Sequence, residues 1–121
     1  KMYVIEYYES SSGNIPFKDF LISITTKDTR KMAAIKQYLN MLVEYGPRIN
    51  EKFKPGSSKK IKGNLFELRP NNNRILFFYF TKNKIIILHG FTKKTNKTPK
   101  KEIEKAIKEM ADYNERHKNE K

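Results

Sequence analysis

The sequence contains no cysteine, so its fold draws on neither a disulfide nor a thiolate metal site, a composition compatible with a cytoplasmic protein. No apolar run reaches the roughly 18 residues of a membrane span, and no membrane partner is expected. The opening MYVIEYYESSSG lacks the charged, apolar and small-residue regions of a signal peptide, and Lys1, ahead of Met2, reads as a remnant outside the natural chain. A Gly-rich phosphate loop, a Ser-His-Asp set and zinc-ligand spacing are all missing. His117 falls in the fraying tail and leaves His89 with no second histidine near it, and there is no pair of carboxylates, which argues against a metal nuclease, and no cofactor is expected.

Acidic residues are also missing, but only locally. Residues 57–98 carry 10 basic side chains and a single acid, Glu67, whereas residues 1–56 carry 9 against 6 and residues 99–121 carry 7 against 6. The net charge of +13 is therefore focused on one segment. Scattered lysines would only solubilise a surface, but clustered ones gain by displacing counterions from phosphates, which points to a polyanionic partner. The 37% hydrophobic and 12% aromatic content specifies a folded chain, and 121 residues suit one domain, 1–121, with no internal repeat or linker.

Hydrophobic spacing gives the order of elements. A β-branched and aromatic strand over 2–8 precedes a Ser- and Gly-rich turn. Pro16 opens a helix to about Thr26 carrying Phe17, Phe20, Leu21 and Ile24. Asp28 caps a second, on which Met32, Ile35, Leu39 and Leu42 recur before Gly46 and Pro47 end it. After the basic loop KPGSSKKIKG, with a short strand at 60–62, come strands at 64–69, 73–81 and 84–92, joined by the asparagine-bearing turns PNNN and TKNK, which tolerate positive φ. A final helix begins at Thr98 with Pro99 in its first turn, turns Ile103, Ile107 and Met110 inward, and frays near His117. This order makes the fold α+β.

Hairpin register then places chemistry. PNNN sets Arg69 opposite Arg74 and Glu67 opposite Leu76, and a loop of Lys82 and Asn83 sets Leu76 against His89 and Arg74 against Phe91. One face collects Phe66, Leu68, Ile75, Phe77, Tyr79, Ile86 and Leu88, an apolar surface that helices must cover. The other holds Leu65, Phe78, Phe80, Ile85 and Ile87 at one end, and Glu67, Arg69, Arg74, His89 and Phe91 at the other. Cross-strand arginines repel, so an anion is expected between them. Glu67 supplies part of it in a purely structural ion network, but Lys93, Lys94 and Lys97 leave the same strand end. A phosphodiester suits such a set: guanidinium forks bind its oxygens, an imidazole or a lysine of lowered pKa moves a proton, and Phe91 stacks on a base. Lys59, Lys60, Lys62 and Lys97 extend the RNA-binding candidates. Tyr3, Tyr7, Tyr8 and Tyr79 read as packing residues.

The stretches GNLFELRPNNNRILFFYF and IIILHGFTKKTNKTPKKEIEKA resemble the RelE/ParE superfamily, specifically the phage-derived HigB-like toxins of type II toxin–antitoxin systems, which show an L-x-E-L-R strand, an arginine opening the next strand, and an H-x-F-x-K-K-x-x-K-T-P run. The resemblance is strong over 63–106 and weaker over the first 56 residues. It implies helices packed on one face of a small twisted antiparallel sheet. It also implies metal-free cleavage of messenger RNA, usually in the ribosomal A site, by attack of the 2′-hydroxyl on the adjacent phosphate. The matching catalytic positions are Arg69, Arg74, His89, Lys93 and Lys94, with His89 ahead of a lysine as general base. Superfamily members often use a C-terminal tyrosine, but Tyr113 lies deep in the last helix and receives no such role. The implied partners are messenger RNA on the ribosome and a helix-turn-helix, HigA-like antitoxin, through which alone operator DNA is bound. Inhibition of DNA gyrase, as by ParE-like members, and simple nucleic-acid binding are the competing functions.

Overall fold

The computed structural model describes residues 2–25 and 28–120. Lys1 and Thr26, the expected end of the first helix, lie outside the described residues. The elements are β1 (Val4–Tyr7), α1 (Pro16–Thr25), α2 (Thr29–Tyr45), a short α3 (Ile49–Lys52), β2 (Ser58–Lys62), β3 (Leu65–Leu68), β4 (Asn73–Tyr79), β5 (Lys84–Thr92) and α4 (Lys100–Arg116). The order of elements follows the expected α+β pattern. Gly46 and Pro47 end α2 as expected, but the chain goes on through a 3-10 turn and α3 before β2, two elements beyond the expected stop.

Local signals set the ends of the helices. The Asp28 carboxylate accepts from the backbone N–H of Arg30 and Lys31, satisfying two donors at the start of α2. Gly46 ends that helix at φ 51°, a conformation that costs glycine least.

One five-stranded sheet runs in the order β1-β5-β4-β3-β2. The hairpins are antiparallel, but β1 pairs with β5 in parallel, so the sheet is mixed rather than wholly antiparallel. Helices α1 and α2 lie on the path from β1 at one edge of the sheet to β2 at the other, and the run β2-β3-β4-β5 then brings the chain back to pair with β1.

Helices cover both faces, a second departure from the expected one-sided packing. Phe17, Phe20 and Ile24 of α1 and Ile35 and Leu42 of α2 pack on Leu68, Ile75, Phe77, Ile85 and Ile87. On the other face Ala106 and Tyr113 of α4 pack on Leu65, Leu76, Phe78, Phe80, Ile86 and Leu88. Burial on both faces explains the unbroken apolar run of β4. The innermost stripe of α4 is Ala106, Glu109 and Tyr113, while Ile103, Ile107 and Met110 are half-buried on its flanks.

The reassignment of Ile85 to Leu88 has a local cause. The second hairpin closes with Phe80 N–H donating to the Lys84 carbonyl, making the loop three residues long instead of two. Phe78 therefore faces Ile86 and Phe77 faces Ile87, one step from the expected register. An irregularity beyond Phe77 restores the expected pairs Leu76–His89 and Arg74–Phe91. Leu88 and His89 consequently lie on the α4 side together, and Ile85 and Ile87 turn toward α1 and α2.

Candidate active site

His89 is buried beneath α4, with 2% of its surface exposed. Nδ1 lies 2.6 Å from Glu109 Oε1 and Nε2 lies 3.0 Å from Glu102 Oε1. The two carboxylates stand seven residues apart, two turns along one helix face, and they grip the ring from either side. Neither ring nitrogen faces an open space. The Phe91 ring lies 6.4 Å from the imidazole and packs against the α4-side core.

Glu67 organises the charge on the neighbouring strands. It is 3% exposed, accepts a 2.6 Å hydrogen bond from the Thr98 hydroxyl, and stands 3.6 Å from Arg69 Nε and 3.8 Å from Arg74 Nε. Both ion pairs are longer than a hydrogen bond. Arg74 is buried and donates through Nη1 to the carbonyls of Asn71 and Asn73, holding the β3–β4 turn, while its Nε has no hydrogen-bond partner. Burial, followed by the charge of Arg69, holds Arg74 below the ordinary arginine value. The β3–β4 ladder ends at Leu68–Ile75, so Arg69 is not a ladder partner of Arg74; its N–H donates instead to the Ser57 carbonyl.

Between β2, β3 and the loop entering α4 lies a cleft of about 300 Å³, lined by Lys59, Lys60, Ile61, Glu67, Arg69, Lys93, Asn96, Lys97, Thr98 and Ile103. Five cations thus face a single carboxylate, and that carboxylate is already engaged. Lys93 N–H donates to the Asn72 carbonyl at 2.7 Å, fixing the start of the loop against the turn that Arg74 holds. Burial, then the Arg74 and Arg69 guanidinium groups, hold the Lys93 ammonium below the usual lysine value, with Glu67 opposing them. The cleft brings together Lys59, Lys60, Arg69, Lys93 and Lys97 from the sequence-based set. Arg74 lies behind it, and Lys62, Lys94, His89 and Phe91 do not line it.

The model of the phage-derived Gp49-like family (DUF891) matches residues 23–111, from the end of α1 through most of α4. The chain belongs to that family. Gp49-like proteins are RelE-like and toxin-related, in keeping with the five-stranded α+β architecture. No curated protein matches the sequence. The Gp49-like region contains every residue of the cleft and the whole His89 clamp.

Glu102, Glu109 and Thr98 were missed as site residues because their partners lie 13, 20 and 31 positions away along the chain. The buried Glu109 at the centre of an α4 stripe was the available signal, since a buried carboxylate requires a partner. Tyr113 is buried in the α4-side core and donates its hydroxyl to Glu6. Burial first, and that hydrogen bond second, raise its pKa. No helix among the described residues is long and apolar enough to cross a membrane.

Proposed function

We propose that this Gp49-like chain is the toxin of a HigB-like type II toxin–antitoxin system and cleaves messenger RNA on the ribosome, its cognate HigA-like antitoxin neutralising it. The observation that carries the reading is the cleft in which Lys59, Lys60, Arg69, Lys93 and Lys97 face one engaged carboxylate. Such a lining attracts a phosphodiester and repels a divalent cation, which favours metal-free chemistry.

In this mechanism Arg69 and the neighbouring lysines hold the non-bridging oxygens and stabilise the charge that grows on them. Neutral Lys93 takes the proton of the 2′-hydroxyl, whose oxygen attacks phosphorus. The bond to the 5′-oxygen breaks, and that oxygen takes a proton from a lysine ammonium of the cleft. The products are a 2′,3′-cyclic phosphate and a free 5′-hydroxyl. Arg74 acts from behind by holding the turn and lowering the Lys93 pKa, and His89 is a positioning residue that fixes α4. Lys62 and Lys94 guide RNA from the periphery.

A specific observation favours a second reading. With His89 enclosed by two glutamates, one reason to prefer cleavage over plain nucleic-acid binding is weakened. The deciding experiment is induction of the chain in bacteria and mapping of message 5′ ends by primer extension, beside Arg69→Ala. New cuts within translated codons, absent from the variant, support the toxin reading. Growth arrest without cuts rejects it in favour of gyrase inhibition or simple binding.

A further inference from the structure

We infer that the cleft holds a nucleobase subsite beside its phosphate cradle, formed by the Ile61 and Ile103 side chains and the Asn96 amide. This rests on the RNA-cleaving reading of the same cleft and names what the cleft recognises there: one unpaired base, selected by its hydrogen-bonding edge.

The cations of the cleft grip any phosphate and carry no sequence information. Once they, Glu67 and Thr98 are set aside, the remaining lining residues are Ile61, Asn96 and Ile103. Ile61 comes from β2 and Ile103 from the start of α4, and both are half-buried against the α4-side core, so their outer surfaces form fixed apolar walls. A base of single-stranded RNA needs such a surface once it leaves the stack. Phe91 does not supply it, because its half-buried ring packs against the α4-side core and does not line the cleft.

The polar groups of the loop are already sorted. The Thr98 hydroxyl is committed to Glu67, and the Thr95 hydroxyl donates to the Lys97 carbonyl, which braces the turn carrying Asn96. The Asn96 side chain is exposed and pairs with no described residue. An amide offers a donor and an acceptor side by side in one plane, the pattern that reads the paired donor and acceptor on a base edge. Arg69 and Asn96 line the same cleft, so a phosphate held by the one brings a neighbouring base toward the other.

The test is sequencing of RNA 5′ ends from cells expressing the chain, Asn96→Ala or Ile61→Ala, with folding checked by circular dichroism. For the unaltered chain one base should dominate at a fixed position beside the cut. Asn96→Ala should lower cutting at that base roughly five- to a hundredfold, so that the four bases converge. Ile61→Ala should weaken cutting at all four alike. An unchanged base distribution in Asn96→Ala, or a flat one in the unaltered chain, overturns the subsite. Total loss of cutting by folded Asn96→Ala also overturns it, because Asn96 would then belong to the reaction itself. Absence of cuts by the unaltered chain removes the RNA-cleaving reading, a distinct result from any of these.

Discussion

His89 Nδ1 and Glu109 Oε1 meet at 2.6 Å across the interface between β5 and α4. With Glu102 on the other ring nitrogen, the contact clamps the first three turns of α4 to the sheet, and the loop carrying Lys93, Asn96 and Lys97 is held between clamp and strand. Replacing His89 by Ala leaves two carboxylates, one of them buried, without their partner. The expected loss of stability is about 3–5 kcal/mol, read from urea denaturation. A loss below about 1 kcal/mol would mean that the clamp contributes nothing to the fold.

The pH dependence of cleavage follows from the groups around Lys93. A general base acts when deprotonated, so the rate should rise with pH through the Lys93 pKa, below the ordinary lysine range. Removing a neighbouring cation relieves the depression, and removing the neighbouring carboxylate deepens it. Arg74→Gln should therefore move the rising limb to higher pH and Glu67→Gln to lower pH. Shifts in the same direction for both variants would exclude Lys93 as the titrating group.

Gly90 marks a close approach of β5 to α1. A methyl group there would sit 2.5 Å from the Phe20 ring. Gly90→Ala is expected to cost about 1–3 kcal/mol through overpacking, and Phe20→Leu in the same chain should recover part of it. Thermal denaturation of the single and double variants checks this; an undiminished midpoint for Gly90→Ala would contradict the packing.

Binding of single-stranded RNA should fall steeply with salt. With Lys93 neutral, the other four basic groups of the cleft give a slope of log K against log salt of about −2.8, and Lys59→Met should make it shallower by about 0.7. An unaltered slope would place Lys59 outside the contact.

Where local chemistry fixed an element, the sequence was readable. Asp28 marked the start of α2, the apolar residues of β4 marked a strand though not its burial on both sides, and PNNN gave the pairing of Glu67 with Leu76, with Asn71 at positive φ. The one-residue error in the second hairpin came from the length of its loop. Because an irregularity compensates before His89, the upper half of the register was right while Ile85 to Leu88 were assigned to the wrong faces. Charge focusing put the cations of the cleft on one segment, but β4 separates β5 from β3, and it is the loop leaving β5 that brings Lys93 and Lys97 to β2 and β3. The clamp was not, because a histidine on a strand and glutamates on a later helix share no local pattern. The parallel pairing of β1 depends on the α1–α2 crossover, which hydrophobic periodicity does not encode.

The central claim is that Lys93 in the basic cleft moves the proton while His89 holds α4 in place. It is tested most directly by single-turnover cleavage on programmed ribosomes, comparing Lys93→Met with His89→Gln at a temperature where both are folded. Lys93→Met is expected to lower the rate by roughly 10²–10⁴-fold, and His89→Gln by less than about tenfold. The reverse order, with His89→Gln nearly inactive and Lys93→Met nearly unimpaired, would contradict the account.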